Sequence, residues 1–144
     1  MPDTLDEIVL GLDYGQKNIG LAIGSRRTRS AQPLTTLSTH SGCFPWRELD
    51  RVVAEWSPGV LLIGVLPAHP GSGDPHRVQF LSSLGNRYGK PVVEWDESHT
   101  SEAARSEIRQ RRADGREKHR VDKRFEDAVA AALLVESYLG RERP

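Results

Sequence analysis

The chain has 144 residues, 28% charged and 37% hydrophobic, which suits one soluble domain with one ordinary core. Twenty Lys/Arg balance twenty Asp/Glu, so the total charge argues neither for nor against a polyanionic partner, and only its distribution can. A single cysteine, Cys43, excludes an intrachain disulfide and a thiolate zinc site. No apolar run approaches the roughly 18 residues of a membrane span. The acidic start, Met1 to Glu7, lacks the basic opening of a signal peptide. The expectation is a cytoplasmic protein without a membrane partner.

Taken in chain order, the apolar run Ile8 to Leu12 predicts a first strand over about 7–13, ending on Asp13. A turn with Gly15 and Asn18 leads into a second strand over 18–24, a hairpin with an acid at the tip of its first strand. Residues 25–31, Ser-Arg-Arg-Thr-Arg-Ser-Ala, form a polar, basic connection to a short third strand over Pro33 to Leu37. Phe44-Pro45-Trp46 opens a helix to about Trp56, with Val52, Val53 and Trp56 on one face. Ser57-Pro58-Gly59 stops it.

Val60 to Leu66 is a continuous apolar run, the mark of a strand buried on both faces in a parallel sheet. A Pro/Gly/Ser/Asp loop, 67–76, follows at its carboxyl end. A helix over 76–88 turns Val78, Leu81 and Leu84 inward, and Pro91 to Trp95 is a further strand ending at Asp96-Glu97. Thr100 or Ser101 caps a helix to about 112. Asp114-Gly115 breaks it, and 114–120 reads as a mobile link. The last helix spans about 122–139, with Phe125, Val129, Ala132, Leu133 and Tyr138 on or near its apolar face. Trp46, Trp56 and Trp95 are expected in the core.

The order is an α/β one, a hairpin extending a sheet whose later strands alternate with helices. Ligands in such sheets bind beyond the carboxyl ends of the strands. Asp13 and Asp96-Glu97 both fall there, and Asp127 reaches the same place if the last helix packs across the sheet. Three carboxylates at one sheet edge suit a hard divalent cation and phosphodiester hydrolysis. Residues 105–124 hold nine Lys/Arg against four Asp/Glu, a local excess that suits a polyanion beside Asp127. Arg111, Arg112, Lys123 and Arg124 are the candidate phosphate contacts, with Lys17 in the hairpin turn. His69, His76 and His99 flank the expected cleft. Asp96 and Glu97 compete for one ligand place, since the period of a strand sends only one of them to the site.

Gly11-Leu12-Asp13-Tyr14-Gly15 with Ile19 to Gly24, Ala31-Gln32-Pro33-Leu34, and Asp127 to Leu134 with Tyr138-Leu139 together resemble the YqgF family, also called RuvX-type Holliday junction resolvases. That family belongs to the RNase H-like superfamily and is associated with nucleolytic processing of the 5′ end of precursor 16S ribosomal RNA. The resemblance spans nearly the whole chain. It implies a single RNase H-like domain over 1–144, a five-stranded mixed sheet with antiparallel strands 1-3 and parallel strands 1-4-5, flanked by helices. It implies a metal-dependent nuclease whose catalytic, metal-holding residues are Asp13, Glu97 and Asp127, carrying two Mg²⁺ or Mn²⁺ ions. In the superfamily's division of roles Asp13 bridges both ions, Glu97 holds one and Asp127 the other.

The chain departs from the family in its middle. Gly64-Val65-Leu66-Pro67 replaces Gly-Leu-Pro, Pro70-Gly71-Ser72 replaces Asp-Gly-Ser, and Ser98 stands where an arginine usually follows the Asp-Glu pair. Either cleavage is slow or Lys17 or Arg124 supplies the missing charge. The expected partner is nucleic acid, RNA before DNA, with ribosomal precursor particles behind it, and the protein is a monomer or a homodimer. Three other readings stand beside this one. They are a four-way junction or single-stranded DNA nuclease, a catalytically weak nucleic-acid-binding assembly protein that keeps the fold, and one half of an actin- or sugar-kinase-like ATPase, whose two-domain architecture 144 residues cannot hold.

Overall fold

The computed structural model describes residues 8–15, 17–40, 43–65, 75–96 and 123–141. The elements there are β1 (Ile8–Tyr14), β2 (Asn18–Ser25), β3 (Ser30–Ser38), α1 (Trp46–Trp56), β4 (Val60–Val65), α2 (Pro75–Tyr88), β5 (Val92–Asp96) and α3 (Lys123–Arg141). The strands form one sheet in the order β3-β2-β1-β4-β5. β1 and β2 are antiparallel with Asp13 opposite Gly20, and β2 and β3 are antiparallel with a register shift between Leu21 and Ala22. β4 runs parallel to both β1 and β5. This is the mixed five-stranded α/β sheet expected from the sequence.

Alternation along the strands divides the apolar residues between two faces. Leu10, Leu12, Ile19, Leu21, Ile23, Leu61 and Ile63 pack with Leu49 of α1 and with Phe80 and Leu84 of α2. Val9, Ala22, Val60 and Leu62 pack with Ala131, Ala132, Leu134, Val135, Tyr138 and Leu139 of α3. β4 contributes to both clusters, as its unbroken apolar run requires. The three tryptophans border these clusters, Trp46 and Trp56 on the α1/α2 face and Trp95 on the α3 face. Among the described residues no helix is long and apolar enough to cross a membrane.

α1 ends where Ser57 turns into the left-handed region (φ 47°), its N–H closing on the Val53 carbonyl at 2.8 Å. A clamp then ties α1 to α2. Arg87 makes a two-pronged bond to Asp50 (Nε to Oδ1 2.8 Å, Nη2 to Oδ2 2.6 Å), and the Tyr88 hydroxyl donates to Oδ1 at 2.7 Å. The guanidinium also lies 5.1 Å from the centre of the Trp46 ring. The Arg87 and Tyr88 hydrogen bonds lower the Asp50 carboxyl to about 2. Burial, with the carboxylate beside it, pushes the Tyr88 phenol above its usual range.

Three local expectations differ from what is found. β3 reaches from Ser30 to Ser38, longer than the 33–37 expected; as an edge strand it accommodates Pro33, whose missing N–H need not break the ladder. Val78 is 59% exposed instead of inward, because Phe80, two residues and roughly 200° further round α2, takes the core position. Phe125 is 50% exposed in the first turn of α3, outside the apolar face assigned to it. The expected helix over 101–112 and the link over 114–120 lie outside the described residues.

Candidate active site

β1 delivers Asp13 to its carboxyl end, half-buried, one residue before the strand stops at Tyr14. Val9 faces α3, so Gly11 and Asp13, two and four residues on, share that face. On β2 the corresponding positions are Gly20, Ala22 and Gly24. The α3 face of the central hairpin is thus lined almost wholly by small residues, and the helix lies against it backbone to backbone.

The contacts at these glycines locate the helix. A Cβ on Gly20 would run into the carbonyl group of Asp127 and come within 2.9 Å of the Ala128 amide nitrogen. A Cβ on Gly11 would meet the Val135 side chain and stand 3.2 Å from the Ala131 carbonyl oxygen. One on Gly24 would meet Val135 and stand 3.3 Å from Leu139 Cδ1. α3 therefore starts over Gly20 and crosses Gly11 and Gly24 on its way down the sheet. Gly20 is the cross-strand partner of Asp13, one pair spacing of about 5 Å away. The backbone of Asp127 is thereby set beside Asp13 on the same face of the sheet. Both carboxylate residues are half-buried, as an acid at the rim of a packed face should be.

The parallel strands extend this edge. Leu12 lies opposite Ile63 and Gly64 opposite Trp95, which brings the end of β5 level with Asp13, two strand spacings or about 10 Å away. Asp96 is the last residue of β5, in which Val93 and Trp95 belong to the α3 face. Glu97, Ser98, Arg111, Arg112, His69 and His99 lie outside the described residues. Lys17 is exposed in the β1–β2 turn, at the Asp13 end of the sheet, its carbonyl accepting from the Thr39 N–H at 2.8 Å. Lys123 and Arg124 open α3, four and three residues before Asp127. His76 is half-buried in the first turn of α2.

Arg77 was not singled out in the sequence. Its Nη2 donates to the Gly64 carbonyl at 3.1 Å and its Nη1 stands 3.5 Å from Glu94 Oε1. It ties the start of α2 to β4 and β5 near their carboxyl ends, on the face away from α3. Gly20 was legible only as part of a motif. Its role as the seat of Asp127 carried a signal all the same: Gly20, Ala22 and Gly24 at every second position of a strand mark the close approach of another backbone.

A five-stranded mixed sheet in the order β3-β2-β1-β4-β5, crossed by a helix that starts over β2, defines the RNase H-like fold class. The RuvX family model, described as Holliday junction resolvase, matches residues 7–141, and the chain belongs to that family. A relative from Burkholderia ambifaria, named "Putative pre-16S rRNA nuclease", is 36% identical over 139 residues, covering 93% of this chain and 89% of the relative. Among solved structures, RuvC of T. thermophilus in complex with a Holliday junction substrate has a TM-score of 0.60 at 15% identity, covering 94% of this chain and 96% of that one. The fowlpox virus Holliday junction resolvase has a TM-score of 0.56 at 16% identity, covering 93% and 98%. At these identities the two structures speak for the fold.

Proposed function

We propose that this chain is a divalent-metal-dependent nuclease that acts in processing the 5′ end of precursor 16S ribosomal RNA, in the cytoplasm. The observation that carries the catalytic reading is the seating of the Asp127 backbone on Gly20, the cross-strand partner of Asp13. A side chain at position 20 would fill that seat and drive the two acids apart. The RNA reading leans on the name of the Burkholderia relative.

The donor set fits Mg²⁺ or Mn²⁺, since carboxylate oxygens are hard ligands. Asp13 and Asp127 would hold the metal from β1 and α3, and Glu97, next after β5, would complete the set. Bound metal would supply an activated water and stabilise the leaving oxygen. The protein's own part is placement. β1 and β2 fix Asp13 through their ladder, and the glycine seat fixes Asp127. Lys17, Lys123 and Arg124, with Arg111 and Arg112, would meet the phosphates on either side of the cut.

The test sets purified protein, with Mg²⁺, with Mn²⁺ or with chelator, against labelled precursor 16S RNA, single-stranded DNA and a four-way junction in parallel. Metal-dependent cutting of the RNA, abolished by Asp13→Asn, is the expected result. Undiminished cutting by Asp13→Asn would overturn the site. The description of the family model favours a second substrate, and preferential symmetric cutting of the junction would replace the RNA reading while leaving the catalytic one intact.

A further inference from the structure

Eight of the nine aromatic residues of the chain pack into the two hydrophobic clusters, and among the described residues Phe125 belongs to neither. We infer that the Phe125 ring is a stacking platform for an unpaired nucleobase within about three nucleotides of the cut, so that the substrate enters as a single strand at that point. The inference rests on the nuclease reading above and names what the site holds besides the phosphate.

The first observation is exposure. Phe125 is 50% exposed, while Val129 and Ala132, one and two turns further along the same side of α3, are each 2% exposed. The packing that covers those two does not extend to the ring. Val78, the other large apolar side chain exposed among the described residues, has no ring to stack and belongs to α2, across the sheet from α3.

The second observation is place. α3 starts at the Asp13 end of the sheet with the Asp127 backbone seated on Gly20, and Phe125 comes two residues before Asp127. That is about 3 Å along the helix axis and roughly 200° around it. The two side chains therefore leave α3 on different sides of a cylinder about 10–12 Å across, and both lean toward the start of the helix. A strand rises about 3.4 Å per base, so one whose phosphate lies at Asp127 carries a base to Phe125 within about three steps as it rounds the helix start.

The third observation is the company the ring keeps. Lys17 is exposed in the β1–β2 turn at the same end of the sheet. A cation for the phosphates with an aromatic face for the bases is the pairing by which proteins hold single strands. A base inside a duplex is stacked on both of its faces and leaves none for the ring, whereas an unpaired one can be splayed onto it.

The test pairs the ring with each base in turn. The cut is first mapped with the parent protein and Mg²⁺ or Mn²⁺. In chelator, the Kd values of the parent, Phe125→Ala and Phe125→Trp are then measured on single-stranded RNA spanning the cut. The same is done on copies in which one nucleotide, up to about three from the cut, lacks its base. Phe125→Ala should bind the intact RNA on the order of tenfold more weakly, and Phe125→Trp should keep the parental affinity. Removing one particular base should cost the parent about as much and cost Phe125→Ala little further, because ring and base are lost as one contact. On a duplex closed across the cut, the parent and Phe125→Ala should bind alike. Their melting temperatures should differ little, since half of the ring already lies outside the packing. Losses that add at every position, or a loss in Phe125→Ala that is equal on duplex and single strand, would overturn the inference and leave the nuclease reading standing. A parent that leaves the RNA uncut would overturn both.

Discussion

The two faces of the sheet solve different problems with different residues. Against α1 and α2 the strands present Leu10, Leu12, Ile19, Leu21, Ile23, Leu61 and Ile63, and Phe80 is wholly buried among them, 5.2 Å from the Tyr14 ring and 5.4 Å from the Trp46 ring. Against α3 the central hairpin presents Gly11, Gly20, Ala22 and Gly24. Large side chains hold a helix at a distance and gain their stability from area removed from water. Small ones let a helix lie backbone to backbone on the sheet, which gives up side-chain area but leaves its position little room to vary. The face that carries Asp13 and the Asp127 backbone is the face built from small residues.

Substitutions can break this comparison, and the largest expected effect is on the bulky face. Phe80→Ala should cost about 3–5 kcal/mol of stability and lower the melting temperature by ten degrees or more, on the order of 3 °C per kcal/mol for a chain of this size. At a temperature where the variant is folded, its cleavage per molecule should stay near the parent's. A large loss of activity there would mean that the bulky face also positions the site.

Next in size is Asp127→Asn, the converse case. Cleavage should fall at least ~100-fold, beyond the range usual for losing an outer partner of a metal ligand; that is about 2.7 kcal/mol of barrier. Melting should shift by no more than a degree or two. A variant that cuts like the parent would remove Asp127 from the site.

Gly20→Ala sits between the two classes because its methyl meets helix backbone, which cannot rotate away. Overpacking of this kind costs about 1–3 kcal/mol. Activity should fall by more than the unfolded fraction explains, whereas a matching methyl at Gly85 of α2, which would stand 3.9 Å from Val92 Cγ2, should do little. Equal effects at the two glycines would erase the distinction between the faces.

The smallest effect is expected at the Asp50–Arg87–Tyr88 clamp. Its carboxyl titrates at about 2 in the folded protein against an ordinary 3.8. A lowered folded value means stability that is fully present above the ordinary value and is lost as pH falls from about 4 toward 2. Both partners are exposed, so the increment is modest and salt will screen it. The melting difference between the parent and Asp50→Asn should narrow as pH drops through that window. A difference independent of pH would assign the clamp's contribution to shape rather than charge.

Much of this architecture is legible along the chain because its signals are local. Two apolar runs joined by a Gly/Asn turn placed β1 and β2, the unbroken run at Val60 marked β4 as buried on both faces, and Ser57-Pro58-Gly59 marked the end of α1. Asp13 was visible as an acid at a strand end. Where the periodic signal was thin, as at Val78 and Phe125, the apolar residue was assigned to the core and the structure left it at the surface.

By itself the sequence determined the order of the elements, the residues able to serve as site acids and the concentration of arginine in one turn, since each depends on neighbours within a few positions. Only the tertiary structure decided that Asp127 rests on Gly20, 107 residues before it in the chain. It alone decided that Arg87 closes on Asp50 and that Phe125 stays exposed where α3 begins. These are distances between segments brought together by strand register and helix crossing, and no periodicity within one segment records where another will lie across it.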